Sequence, residues 1–347
     1  MLKADFKPYT LIFNEPGGTS RGVLTQKPSW IVRVWDTDNS DVKGVGEVSV
    51  IPKLSPESQI TDIDAVIAAK IAGLSAVDVA DDEQWHGIPA VRFGFETALR
   101  DLQTGGRRLL YESAFTSGLD GICINGLVWM GDIATMRQRV QQKYNAGFRC
   151  IKLKIGALDF DRELQLVEYV RNEFPEVEIR LDANGAFAPE DALFKLEKLA
   201  LLDIHSIEQP IRAGNWQAMT ELCRRSPIKI ALDEELIGIE SNAEEMLKII
   251  KPQYVILKPS LIGGVRKAEQ WIDCCKRNDI GWWVTSALEC NIGLNAIAQW
   301  VYTQNVTMPQ GLGTGMVYSN NFGSPLIVDE AKLWHRSGKW DFSNLYQ

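Results

Sequence analysis

Histidine is scarce in this sequence, with 3 in 347 residues. His86, His205 and His335 have no partners at metal-ligand spacing, which argues against a zinc centre. The 6 cysteines include no CxxC pair, so neither a redox motif nor a disulfide framework is expected. The adjacent Cys274 and Cys275 fall in a helix-like segment, where a disulfide between them would be strained. Buried, reduced thiols in a cytoplasmic protein are the expectation. No apolar run approaches the roughly 18 residues a membrane span needs. The N-terminal MLKADFKPYTLIF lacks the unbroken apolar core of a signal peptide. An excess of positive charge is also missing. Lysine plus arginine total 37 against 45 aspartate plus glutamate, a net charge of −8 and a pI near 5.2. Phosphate-led binding of nucleic acid is therefore excluded as a main role. What is present is an ordinary globular mixture, 45% hydrophobic and 24% charged, long enough for one large domain or two smaller ones.

The first part of the chain reads as a mixed α+β unit. Extended signals run over 10–13, 30–35 (WIVRVW) and 45–48. Between the first two, EPGGTSRG from Glu15 to Gly22 reads as a flexible loop. Helical stripes follow at Ile63, Ile67 and Ile71, and at Val91, Phe95, Ala98 and Leu102 behind Pro89. From about residue 120, short β-rich strings alternate with amphipathic stretches. The strings are ICINGLVW, CIKLKI, EIRLDA, IHSIEQ, IKIALDE, YVILKP, IGWWVTS and the shorter VTMPQG. Repeated strand–helix alternation predicts parallel strands with helical crossovers. Eight strings in about 200 residues fit a closed β/α barrel, irregular at its weak last unit. From about residue 325 the chain reads as a strand and tail that return toward the N-terminal unit.

Five charged residues stand near the C-terminal ends of five successive strings: Lys154, Asp182, Glu208, Asp233 and Lys258. They are 28, 26, 25 and 25 residues apart, each step about one βα unit. Equal phase in consecutive units places them side by side on the barrel rim that carries active sites. The two-residue strand period then turns Lys152, Arg180, Asn184 and Ser206 inward with them, and Ile151, Leu153, Ile179, Leu181 and Ile207 outward. Any one of these charges alone would pass for a solvated strand end. Five in one phase would bury charge without compensation unless they served a site. His205, one residue out of phase, is expected to face the helix layer. Converging Asp182, Glu208 and Asp233 repel one another unless a cation sits between them, and oxygen-only ligands suit Mg²⁺. Lysines flanking such a cation fit abstraction of a proton α to a carboxylate. Elimination, racemisation and cycloisomerisation all remain open on that chemistry.

Several stretches carry a family resemblance: GEVSVIPKLSPES (46–58), FGFETALRDL (93–102), INGLVWMGD (124–132), FRCIKLKIG (148–156), IRLDANGAF (179–187), IEQPI (207–211), IALDEEL (230–236), VILKPSLIGG (255–264) and GLGTG (311–315). Over nearly its whole length the chain resembles the enolase superfamily, muconate-lactonizing subgroup. Within it, NGLVWMG and GLGTG look most like the o-succinylbenzoate synthase family. The resemblance implies an α/β fold, a modified (β/α)₇β TIM-type barrel at 116–324. An α+β capping domain would be made from residues 1–115, with 325–347 returning to it. It implies Mg²⁺, with Mn²⁺ able to substitute, on Asp182, Glu208 and Asp233. Lys154 would be the base in a dehydration of 2-succinyl-6-hydroxy-2,4-cyclohexadiene-1-carboxylate, and Lys258 would stabilise the enediolate from the other face. Lys152 would depress the pKa of Lys154 and touch the substrate, with Arg180, Asn184 and Ser286 as further substrate-binding candidates. The partner is thus a small dicarboxylate, with no nucleic acid or membrane; oligomers stay open. The segment 15–22 would lie over the barrel mouth as a lid. In TSALECNIG (285–293), Thr285 and Cys290 stand where family members often carry serines, and Cys290 is expected to be structural. The competing reading on the same scaffold is an N-acylamino acid racemase or dipeptide epimerase, which needs a base on each face. A non-catalytic metal-binding scaffold is disfavoured by the two lysines.

Overall fold

A computed structural model describes residues 1–19, 22–239, 241–336 and 338–346. The chain begins with a three-stranded antiparallel sheet of β1 (Leu2–Thr19), β2 (Gly22–Asp36) and β3 (Asn39–Ser49). Helices α1 (Ile63–Ala72) and α2 (Pro89–Gln103) follow. Trp30, Val32, Val34 and Val48 of the sheet share a buried cluster with Val91, Phe95 and Ala98, the stripe expected on α2. Two glycines permit this contact. A Cβ on Gly44 or Gly46 would stand 2.0 Å from the carbonyl oxygens of Ala98 or Gly94. The helix backbone therefore lies directly on the strand. Proline opens α2, and buried Glu57 accepts from Ala90 N at 2.6 Å and Val91 N at 3.3 Å. Those amides have no partner within the helix.

The glycine-rich segment is not a loop. Strand pairing continues through it, with Gly17 opposite Leu24 and Thr19 opposite Gly22, after a register shift between Ile12 and Gly17. Residues 20 and 21 of that segment lie outside the described residues. The glycines serve close approach. A Cβ on Gly18 would meet the Met130 carbonyl at 2.9 Å, and Met130 N donates to Gly18 O at 3.3 Å. The long hairpin therefore reaches from the antiparallel sheet to the barrel.

After β4 (Ile122–Cys123), seven parallel strands form one curled sheet: β5 (Gly126–Val128), β6 (Cys150–Lys154), β7 (Glu178–Asp182), β8 (Ile204–Glu208), β9 (Ile230–Leu232), β10 (Tyr254–Leu257) and β11 (Gly281–Val284). The crossovers are α3 (Ile133–Asn145), α4 (Phe160–Glu173), α5 (Pro189–Ala200), α6 (Trp216–Arg225), α7 (Ala243–Ile250), and the pair α8 (Pro259–Ile262) and α9 (Val265–Arg277). Helix α10 (Asn291–Thr303) follows β11. The outward aliphatics Ile151, Leu153, Ile179, Leu181 and Ile207 are buried among the helices, as the strand period predicts. This is the modified (β/α)₇β barrel with an α+β cap.

The eighth stave is shorter than its sequence string. Only Gln310 and Gly311 bridge, to Ile124 on one side and Thr285 on the other. Pro309 supplies no amide for a longer ladder. The Gln310 side chain makes up part of the difference: Oε1 accepts from Val284 N at 2.8 Å and Nε2 donates to Met308 O at 2.7 Å.

Two side chains depart from expectation. His205 does not face the helices. The β7–β8 register slips so that Arg180 pairs with Ser206, leaving His205 as the extra residue, and its ring stacks on Tyr254 with 5.3 Å between centroids. Cys123 is exposed, whereas the other five cysteines are buried, and all six are free.

The C-terminal hairpin of β12 (Leu326–Asp329) and β13 (Lys332–His335) pairs with β4. Farther on, the Leu345 carbonyl accepts a hydrogen bond from Lys7 of β1. Among the described residues no helix is long and apolar enough to cross a membrane.

Candidate active site

Lys154, Asp182 and Glu208 are the last residues of β6, β7 and β8, and they pair in register across the sheet. Asp233 and Lys258 are the first residues beyond β9 and β10. The five in-phase residues thus form one arc on the rim, and all five are buried. β6 and β10 are four positions apart in a ring closed by an eighth stave. Lys154 and Lys258 therefore face one another across the barrel.

The contacts are ionic and close. Lys152 Nζ lies 2.7 Å from Asp182 Oδ2 and 2.5 Å from Glu208 Oε2. Lys154 Nζ donates to Asp182 Oδ2 at 2.6 Å and Asn184 Oδ1 at 2.8 Å. Lys258 donates to Asp233 and stands 4.0 Å from Glu208 Oε1. Asn184, in the left-handed region at φ 45°, is held by Asp182 Oδ1 on its amide and by Glu234 Oε1 on Nδ2.

The three lysines do not share one protonation preference. Burial is the largest influence on each and favours the neutral amine. At Lys154 burial prevails over Asp182, assisted by the charge of Lys152, and the pKa is lowered. At Lys258 the charges of Asp233 and Glu208 outweigh burial, and the ammonium is held up. Asp182, Glu208 and Asp233 outweigh burial at Lys152 in the same way. Burial would raise Asp182, but its three lysine neighbours hold it well below the usual carboxylate range. Asp233 is lowered despite burial, chiefly by Lys258. Glu208 goes the other way, raised by burial and by the charge of Asp182. A raised Glu208 conflicts with the carboxylate charge that supports Lys152. The stronger physical reading is an under-compensated carboxylate, because buried Glu208 Oε1 has no hydrogen-bond partner.

That orphaned oxygen bears on the expected metal. As they stand, no three acidic, histidine or cysteine side chains among the described residues are arranged to hold an ion. Lysine ammonium groups lie between the carboxylates instead. The donor set still fits a hard dication: three carboxylates, all oxygen, deeply buried, with one oxygen unsatisfied.

A cavity of about 1060 Å³ opens over the arc, lined by Lys152, Lys154, Lys258 and Ser286. Pro16 and Val23 of the β1–β2 hairpin, with Leu24, Leu54 and Trp129, supply an apolar surround. The hairpin thus occupies the position expected of a lid. Arg139 fastens it by an ion pair to Glu15 at 3.0 Å.

Two of the expected substrate contacts are placed otherwise. Arg180 does not line the cavity. Its inward phase is right, but it sits two residues below Asp182, about 7 Å deeper along the strand. There it bonds Glu178 Oε1 at 2.8 Å and Pro309 O at 2.9 Å, and it stacks over Trp283. Asn184 is likewise absent from the lining and serves Lys154 instead. Cys290 is fully buried, with its thiol pushed up by burial and by Glu47, which suits a structural residue. Sequence reasoning missed Glu289, which bonds Ser286 at 2.5 Å, and Glu234 on Asn184. The doubled acid of LDEEL was a visible signal for the second; nothing in the sequence marked the first.

A barrel that aims lysines and carboxylates across one mouth, under a cap, defines a class of enzymes for carboxylate α-proton chemistry. Residues 135–332 match the enolase C-terminal domain-like family, and the chain belongs to the enolase superfamily. It is 46% identical to the o-succinylbenzoate synthase of Desulfotalea psychrophila, over 96% of this chain and 98% of that one. The crystal structure of MenC from Desulfotalea psychrophila LSv54 superposes with a TM-score of 0.82 at 42% identity, covering 96% of this chain and 99% of that one. A dipeptide epimerase from Cytophaga hutchinsonii, complexed with Mg and the dipeptide D-Ala-L-Val, has a TM-score of 0.84 at 20% identity, covering 100% and 98%. That last likeness concerns the fold alone.

Proposed function

We infer that this enzyme is a lyase that dehydrates 2-succinyl-6-hydroxy-2,4-cyclohexadiene-1-carboxylate to o-succinylbenzoate, a step of menaquinone biosynthesis. Near-full-length similarity to an o-succinylbenzoate synthase supports the reaction. The observation that carries the mechanism is the placing of two buried lysines on facing sides of one cavity. Lys154 is biased toward the neutral amine and Lys258 toward the ammonium. A dehydration needs one base. A racemase also uses one neutral lysine and one ammonium in each direction, so the lysines alone do not separate the two readings; the near-full-length similarity favours the dehydratase.

Asp182, Glu208 and Asp233 would hold Mg²⁺. When bound, the dication supplies positive charge beside the substrate carboxylate and so acidifies its α-proton. The neutral amine of Lys154 takes that proton. Lys258, as ammonium across the barrel, hydrogen-bonds the enediolate oxygens as their charge develops. The ring C–O bond then breaks, and Lys154 returns its proton to the leaving hydroxide as water. The ring becomes aromatic. Asn184 and Asp182 aim the Lys154 amine throughout. Lys152 contributes by placing a fixed positive charge beside Lys154, and the β1–β2 hairpin of the cap stands over the cavity. The setting we propose is the cytoplasm.

The test is direct. Purified protein with Mg²⁺ should convert the cyclohexadiene to a product with aromatic absorbance, and a chelator should abolish conversion until Mg²⁺ or Mn²⁺ is restored. Racemisation of an N-succinylamino acid without dehydration would favour the alternative.

A further inference from the structure

Strand β5 ends the seven-stranded sheet, and its outer edge is mostly open. Toward β6 it is paired throughout, with Gly126, Leu127 and Val128 opposite Ile151, Lys152 and Leu153. Toward the eighth stave the ladder stops at the foot, where Ile124 bridges Gln310 and Asn125 N donates to Gln310 O at 2.9 Å. Gly311 turns away from β5: its N–H goes to Val284 O, and its carbonyl accepts from Ser286 N. Among the described residues, Gly126 to Trp129 make no backbone hydrogen bond across that gap. No α-helix follows the eighth stave to cover it; a short 3₁₀ turn (Thr314–Val317) and β12 come next.

The cavity over the arc extends through this gap. Leu127 shares the inward face with Lys152, its register partner, whereas Gly126 faces outward. A Cβ on Gly126 would meet Phe148 Cγ at 3.2 Å and Lys143 Cβ at 3.3 Å. Leu127 and Lys152 line the cavity, and so do Phe148 and Lys143. A cavity that touches both faces of one strand must pass round it. Pairing with β6 closes one edge. At the top, Met130 N bonds Gly18 O, and Arg139 bonds the carbonyls of Trp129 and Met130. Gln310 closes the foot. The way that remains runs beside Gly311 and Gly313, both in the lining and both without side chains.

Outside the wall this arm ends on Lys143 of α3. Its ammonium stands over the Phe148 ring, 5.3 Å from the centroid. Among the described residues it has no ion-pair or hydrogen-bond partner. The acids that border the cavity are Glu15, Asp329 and Glu330. Glu15 is paired with Arg139 and Asp329 with Arg336, and Glu330 is exposed on the hairpin turn. Burial is the one influence on the Lys143 amine, and it pushes the pKa down. A half-buried ammonium without a counter-charge is costly. A carboxylate would supply that charge, and Phe148, Leu127 and Val328 would take an apolar body beside it.

We propose that this arm is a second ligand site, separate from the arc, which binds a small aryl carboxylate with its carboxylate on Lys143 and its ring against Phe148. The site stands whether or not the enzyme dehydrates the cyclohexadiene.

The experiment is a titration of the full chain, with Mg²⁺ present, by para-fluorobenzoate followed by fluorine NMR. Wild type should show a binding event that persists in Lys258→Met, where the arc has lost a cation. Lys143→Met, which keeps the aliphatic stem, should weaken that event at least about tenfold, the loss of one hydrogen bond to a charged group. Lys143→Arg should restore it. The neutral amide, para-fluorobenzamide, should bind wild type as weakly as the acid binds Lys143→Met. Equal affinity of wild type and Lys143→Met for the acid would overturn the proposal. So would loss of all binding in Lys258→Met, or no binding to wild type.

Discussion

At the scale of the residue, what matters is how charge is shared among three lysines and three carboxylates in one buried arc. Identity and phase were legible in the sequence, because spacing of about one βα unit and a strand period of two are geometric facts. Depth and partnership were not. Arg180 has the inward phase yet lies a layer too deep, and Asn184 spends its oxygen on Lys154. Strand parity cannot distinguish a side chain that meets a ligand from one that braces its neighbour. Lys258 carries a prediction at this scale. Lys258→Met should lower kcat by about 10²–10³-fold, the loss expected when a preorganised donor to a developing oxyanion is removed. Circular dichroism should show an unchanged fold. Wild-type kcat in that variant would remove Lys258 from the mechanism.

Elements were legible where their periodicity is strong and obscured where tertiary contact overrides local signal. The seven full strands and their crossovers follow the sequence strings. The glycine-rich segment followed loop composition, yet pairing with β2 and contact with Met130 keep it extended. The eighth stave is cut to Gln310 and Gly311 because Pro309 offers no amide. Helix α2 shows a third kind of hidden feature, a cap supplied from outside by Glu57. Burial is the largest influence on that carboxyl and pushes its pKa up to about 7. The unfolded chain would titrate near about 4.3. Because the folded value is the higher, the contribution of this group to stability is full below the unfolded value. It is lost as pH rises through about 7. Glu57→Gln should flatten that part of the stability-versus-pH curve in urea unfolding between about pH 4 and pH 8. An unchanged slope would mean that Glu57 stays ionised in the folded protein.

At the scale of the whole molecule, a buried polar link joins the antiparallel sheet to the barrel. Lys27 and Glu47 are 3.6 Å apart and fully buried, and Ser29 donates to Glu47 at 2.8 Å. Glu47 then crosses to the barrel, accepting from Cys290 N and Gly293 N at 3.1 Å each, at the start of α10. The segment GEVSV was visible as a motif, but its partners are more than 240 residues away in sequence, beyond any local pattern. Glu47→Ala would strand the Lys27 charge and leave two amides without an acceptor. The expected loss is about 3–5 kcal/mol, the usual consequence of breaking a buried pair from one side. Thermal unfolding should show it as a markedly lower Tm. A Tm within a degree or two of wild type would mean that the link contributes little to docking.

The bulk charge of −8 says little about the substrate: Lys152 and Lys258 offset two of the arc's three carboxylates, and a dication held by Asp182, Glu208 and Asp233 would supply the positive charge that a dicarboxylate needs. The central claim is that Lys154 is the single base, and one measurement addresses it most directly. Turnover of the cyclohexadiene by Lys154→Ala should be followed beside wild type with Mg²⁺ present, with the fold checked by circular dichroism. The account predicts a folded variant whose dehydration falls by at least about 10³-fold. A folded Lys154→Ala that retains appreciable dehydration would contradict it.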